Sequence, residues 1–93
     1  MQFLVISTPR PERPSEMRGA QTKFWDWIKP LQDAGTATSC HIKVGRGACV
    51  IFDVDSHETL HRLVNEWADC VPAAFEIIAL VDNAFQERRA RGN

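Results

Sequence analysis

Four short apolar runs, interrupted twice by residues at helical spacing, leave this chain few folds to adopt. The runs are Gln2–Thr8, Thr36–Val44, Ala48–Val54 and Phe75–Val81, each of strand length. Between the first and second, Met17, Ala20, Phe24, Ile28 and Leu31 repeat at three- and four-residue intervals, the stripe of an amphipathic helix. Trp25 and Trp27 flank that stripe. Between the third and fourth, Leu60, Leu63, Val64 and Trp67 form a second stripe. Punctuation agrees with this order. Pro9, Pro11 and Pro14 end the first strand, Ser15 suits a helix N-cap, Pro30 is expected to kink the last turns, and Gly35 supplies a stop. Asp55 or Ser56 caps the second helix, Glu58 lies in its first turn, and Pro72 ends the connection that follows.

The order is therefore β-α-β-β-α-β, an α+β chain with the ferredoxin-like split arrangement. It predicts a four-stranded antiparallel sheet with two helices on one face. The opposite face would carry Leu4, Ile6, Ile51, Ile78 and Leu80, a contiguous apolar patch of a kind that soluble monomers rarely expose. A second copy packed sheet on sheet would cover it, so a homo-oligomer is expected, a dimer or a larger ring. The domain is assigned to residues 1–82, and residues 83–93 form a charged tail whose Gln86–Arg91 stretch suits a short helix.

At 93 residues the chain has room for one core, and 44% hydrophobic with 25% charged residues is ordinary for a soluble globular protein. A formal net charge of -1 lacks the basic footprint of a nucleic-acid binder. The apolar run Cys49-Val50-Ile51-Phe52 is too short to cross a membrane. The amino end starts directly on a strand, without a basic leader or a small-residue cleavage site, so a cytoplasmic location is expected. Cys40, Cys49 and Cys70 form no CxxC pair and read as half-buried reduced thiols. His57 and His61 stand four apart, a spacing that can hold a metal. With no third ligand in view, they read as a solvated helix flank and no metal is expected.

The segment Gly45-Arg46-Gly47 between two alternating runs signals a hairpin; no helix follows it, which excludes a phosphate loop. A three-residue turn would set Val44 opposite Ala48, Lys43 opposite Cys49, His41 opposite Ile51 and Ser39 opposite Asp53. Cys40, Ile42, Val50 and Phe52 would then share the helix-covered face with Phe3 and Val5. Ser39, His41, Lys43, Cys49, Asp53 and Glu76 would share the other face with Leu4, Ile6 and Ile51. A histidine near a carboxylate within an aliphatic wall suits proton transfer near neutral pH. On this reading His41 is the acid/base, Asp53 orients it, and Lys43 stabilises an anion. Ser39, Leu4, Ile6, Cys49, Ile51 and Glu76 line the substrate, with Phe24 and Trp27 adding to the wall. The same polar groups could instead make salt bridges across a dimer. Trp25, Trp27 and Trp67 suit a flat aromatic pocket or plain core packing.

Phe52-Asp53-Val54-Asp55-Ser56, with Leu60-His61 and Phe75-Glu76-Ile77, resembles the muconolactone delta-isomerase family. Met1-Gln2-Phe3-Leu4-Val5 and Gly35-Thr36 fit the same pattern, and the likeness covers roughly residues 1–82. It implies a ferredoxin-like subunit of a dimeric α/β barrel without a cofactor. The implied reaction shifts a double bond in an unsaturated lactone by removing one proton and returning it elsewhere. The chain departs from that family where Phe24 takes the place of an acidic residue and where Leu4 and Ile6 replace polar ones. The expected function is a cofactor-independent isomerase or cyclase acting on a small, partly apolar oxygenated substrate, in aromatic catabolism or natural-product biosynthesis. The alternatives are a non-catalytic binding barrel that lost the family base, and a cofactor-free oxygenase using its tryptophans.

Overall fold

A computed structural model of the chain describes residues 1–11, 13 and 18–92. The expected cap Ser15, the breaker Pro14 and the stripe residue Met17 lie outside the described residues. The elements in order are β1 (Gln2–Pro9), α1 (Arg18–Asp33), β2 (Ala37–Ile42), β3 (Ala48–Asp53), α2 (His57–Cys70), β4 (Ala73–Leu80) and α3 (Asn83–Ala90). The strands form one antiparallel sheet in the order β2-β3-β1-β4, and the fold is ferredoxin-like.

Each helix follows from its stripe. In α1 the buried residues are Phe24 and Ile28; the helix runs through Pro30 to Asp33, and Gly35, with φ at 79°, turns the chain out. In α2 they are Leu60, Leu63 and Trp67. Ser56 caps α2, its hydroxyl accepting from the Thr59 amide at 3.1 Å, while Asp55 instead accepts from the Thr59 hydroxyl at 2.9 Å. The helix-covered face of the sheet supplies Phe3, Val5, Val50 and Phe52, which close on those helix residues as a single core. Burying one such side chain is worth about 1.5–3 kcal/mol, which makes this layer the main source of stability.

The other face is open in the single chain. Leu4, Ile6, Ile51 and Leu80 are half-buried there, and Ile78 is exposed. The two sheet edges differ. β2 carries a bulge between Ala37 and Ser39, where the Thr38 hydroxyl donates to the Ile51 carbonyl at 3.3 Å. β4 pairs along all eight residues with β1 and has no irregularity.

After β4 the chain leaves the body. Asp82 caps α3 by accepting from the Ala84 amide at 3.1 Å, yet α3 buries no residue. The long axis reaches 53 Å, and the radius of gyration is 15.0 Å. A compact chain of this length has one of about 12 Å. Among the described residues, no helix is long and apolar enough to cross a membrane.

Candidate functional site

The hairpin register differs from the three-residue turn predicted above. Ile42 pairs with Ala48, His41 with Cys49 and Ser39 with Ile51, so β2 is displaced by two residues along β3 and Lys43–Gly47 form the loop. The Lys43 amide donates to the Gly47 carbonyl at 2.9 Å and closes that loop at its base. A displacement of two keeps residues 39–42 on their expected faces but changes their neighbours, while the bulge turns Ala37 into the helix-side core opposite Phe52. Across the open face, His41, Cys49, Ile6 and Glu76 make one row, and Ser39, Ile51, Leu4 and Ile78 the next.

Asp53 lies four residues along β3 from the partner of His41, about 13 Å at roughly 3.3 Å per residue. It engages the Met1 amino group instead, at 3.3 Å, and that amine also donates to the Val54 carbonyl at 2.7 Å. Lys43 is not on a strand; its Nζ donates to the Thr8 hydroxyl at 3.0 Å. His41, Asp53 and Lys43 are therefore not brought together within one chain. Glu76 shares the row of His41 but stands three strands away, beyond Cys49 and Ile6.

A cleft of about 260 Å³ opens on the helix side instead, between the start of α1, the 43–47 loop and the end of α2. Its walls are Phe24, Trp25, Trp67, Ile42 and Val71, with Arg46 and Gln21 contributing polar groups. Phe24 and Trp67 stand 5.3 Å apart between ring centroids, and Trp25 meets Phe24 edge-on at the same distance. Ser7 is buried at the sheet side. Its hydroxyl accepts from the Ala48 amide at 2.9 Å and donates to the Ala48 carbonyl at 3.4 Å, which ties the loop to β1.

Of the residues assigned to substrate contact from sequence, Phe24 lines this cleft. Leu4, Ile6, Ser39, Cys49, Ile51 and Glu76 lie on the opposite face of the sheet. Trp27 packs against Trp67 and Phe52, and its indole N–H donates to Glu66 at 2.9 Å. That hydrogen bond, reinforced by Arg62, holds the Glu66 carboxyl below its usual range. Burial pushes the Cys40 and Cys70 thiols up. Sequence reasoning missed Ser7, Ile42, Arg46 and Val71 as cleft residues. The available signal was the single side chain between two glycines, next to a strand with an apolar neighbour on the helix side.

A second hollow, of about 410 Å³, lies at the start of α2 among Thr36, Asp53, Asp55, Thr59 and Arg62. Asp53 is bonded to Met1, Asp55 to Thr59, and Arg62 to Glu66. His57, half of the metal-compatible pair, packs edge-on to Phe3 with centroids 5.7 Å apart. Among the described residues, no three His, Cys, Asp or Glu side chains converge as a metal site.

Residues 1–87 match the profile of a domain of unknown function, DUF3303. The chain belongs to the DUF3303 family. Two solved structures show its fold in other proteins. A 5-chloro-2-hydroxyhydroquinone dehydrochlorinase from Burkholderia phenoliruptrix AC1100, in complex with 2,5-dihydroxybenzoquinone, is similar at a TM-score of 0.75 and 14% identity, over 91% of this chain and 98% of that one. A muconolactone isomerase is similar at a TM-score of 0.70 and 22% identity, over 89% of this DUF3303 chain and 91% of the isomerase. The resemblance drawn from Phe52–Ser56 and its companions thus extends to the whole fold. A comparison with curated protein sequences found no match.

Proposed function

We propose that this DUF3303 chain is a small-molecule enzyme of the isomerase or lyase type. It moves a proton on a single-ring, oxygenated, partly apolar substrate without a cofactor. The observation that carries the reading is the cleft walled by Phe24, Trp25 and Trp67, whose size suits one ring rather than a nucleotide or a peptide. Support comes from the two fold neighbours, whose names denote chemistry on small oxygenated rings, a lactone in one and a chlorinated hydroxyhydroquinone in the other.

The position of the cleft constrains the mechanism. A ring held there lies on the helix side of the sheet, whereas His41 and Glu76 lie on the other side, so neither can reach it within one chain. Among the described residues the lining holds no carboxylate and no imidazole. The substrates that fit are those that ionise readily by themselves, through an acidic ring hydroxyl or a C–H activated by both a carbonyl and a conjugated double bond. Water then carries the proton, and the protein aligns the ring and stabilises the charge left on oxygen. Two copies packed through their open sheet faces form the working unit in this reading. His41, Asp53, Lys43 and Glu76 then belong to the contact between copies rather than to one chain's cleft.

The test is incubation with unsaturated lactones and with hydroxylated or chlorinated hydroquinones in deuterated water. Conversion, or deuterium entering a ring carbon, supports the enzyme. The lack of a carboxylate or imidazole among the described lining residues favours a second reading, a barrel that binds such molecules without changing them. Binding with neither conversion nor exchange would establish that second reading. No binding by any member of the set removes both.

A further inference from the structure

We propose that Arg46 is an anion-binding residue of the cleft, and that the molecule admitted there carries an oxyanion on its ring. This rests on the reading of the cleft as a small-molecule site and names the class of molecule it takes. Among the described residues, Arg46 is the one charged side chain in the lining, and the rest of the wall is aromatic, aliphatic, amide or the Ser7 hydroxyl. A guanidinium beside apolar walls binds a carboxylate or phenolate more strongly than it would in open water, because fewer water molecules compete for either partner.

The loop is built to present that one side chain. Its base is fixed by the Lys43 amide on the Gly47 carbonyl at 2.9 Å and by Lys43 Nζ on the Thr8 hydroxyl at 3.0 Å. The Ser7 hydroxyl holds Ala48 at the point where the loop rejoins β3. On either side of Arg46 the backbone takes φ of 99° at Gly45 and 101° at Gly47, a region that disfavours any other residue. At Gly47 an added Cβ would run into the Ser7 carbonyl oxygen and the Lys43 side chain. Arg46 is thus the only side chain that the Gly-Arg-Gly tip can offer the cleft, and it is neither fully buried nor exposed. The anion-stabilising role expected of Lys43 is assigned here to Arg46, which lines the cleft where Lys43 does not.

The probes are 2,5-dihydroxybenzoate and its methyl ester, which share a ring and differ in charge. Binding is followed by calorimetry and by quenching of tryptophan fluorescence, since Trp25 and Trp67 both line the cleft. The acid is expected to bind at least about tenfold more tightly than the ester. Arg46→Gln removes that preference by weakening the acid alone, and Arg46→Lys retains part of it. Phe24→Val weakens both probes alike, and added salt weakens only the acid. Equal affinity of the wild-type protein for the two probes overturns the assignment of Arg46 and leaves the cleft standing. So does a preference that survives Arg46→Gln. If neither probe binds and the fluorescence is indifferent to both, the cleft is not a small-molecule site and the two proposals fall together.

Discussion

Trp67 is the hub of the aromatic layer between helices and sheet. Phe24, Trp27, Phe52 and Phe75 surround it, with ring centroids 5.3, 6.1, 6.3 and 5.1 Å away. It is 1% exposed and also forms part of the cleft wall. Trp67→Ala should therefore cost about 3–5 kcal/mol, measured by urea denaturation, and abolish probe binding, whereas Trp67→Phe keeps most of both. Glu66 is tied to the same layer through the Trp27 indole. Its carboxyl is held below the usual range, so the charged form is favoured in the folded state. The resulting stability is present above the unfolded-state value, about 4.3 for glutamate, and is lost as pH falls through the lower folded value. Tryptophan emission should accordingly stay constant from neutral pH down to the unfolded-state value and change as pH falls on through the lower folded value. Glu66→Gln should flatten the acid-side change. The energy involved is small because the Glu66 side chain is 39% exposed.

The 43–47 loop shows what a sequence pattern can and cannot specify. Alternation assigned residues 39–42 and Ala48–Asp53 to their faces, because side-chain direction in a regular strand depends only on odd or even position; the bulge before Ser39, which turns Ala37 into the core, left no mark in that pattern. Neighbours across the strands depend on loop length, and two things set that length. Both glycines take positive φ, and the Lys43 amide reaches Gly47 rather than closing a tighter turn. Those are choices among turns of similar energy, and the cross-strand and loop contacts decide them, so Gly-Arg-Gly alone could not. The helices were easier to read, since Phe24, Ile28, Leu60, Leu63 and Trp67 each report burial directly through spacing. The cleft was least legible of all. It joins β1, α1, the loop and α2, and no local window contains it. At this scale Gly47→Ala is the sharpest probe. It should destabilise the chain by about 1–3 kcal/mol through forced backbone strain. It should also weaken acid binding by displacing Arg46, whereas Gly45→Ala, where an added Cβ meets nothing, has the smaller effect.

For the molecule as a whole, the sheet's open face sets behaviour in solution. Ile78 sits in its middle, paired with Leu4 and 38% exposed in the single chain. Sedimentation or light scattering should give at least twice the chain mass, and Ile78→Lys should shift it toward one chain. A wild-type protein that stays monomeric at micromolar concentration would sink the paired-sheet proposal. Loss of pairing in Ile78→Lys should leave the helix-side core intact, because Ile78 contributes nothing to it.

The unequal edges of the sheet have a further outcome. A regular strand such as β4 offers its unused backbone groups to any strand that arrives, while the Thr38 bulge spoils the opposite border for the same purpose. Strand addition is therefore expected at the β4 border ahead of the β2 border. Two molecules joined strand to strand through β4 would present the spoiled border at both outer ends, and the sheet could lengthen no further. A filament would need the β2 border to pair as well, and the bulge at Thr38 works against that.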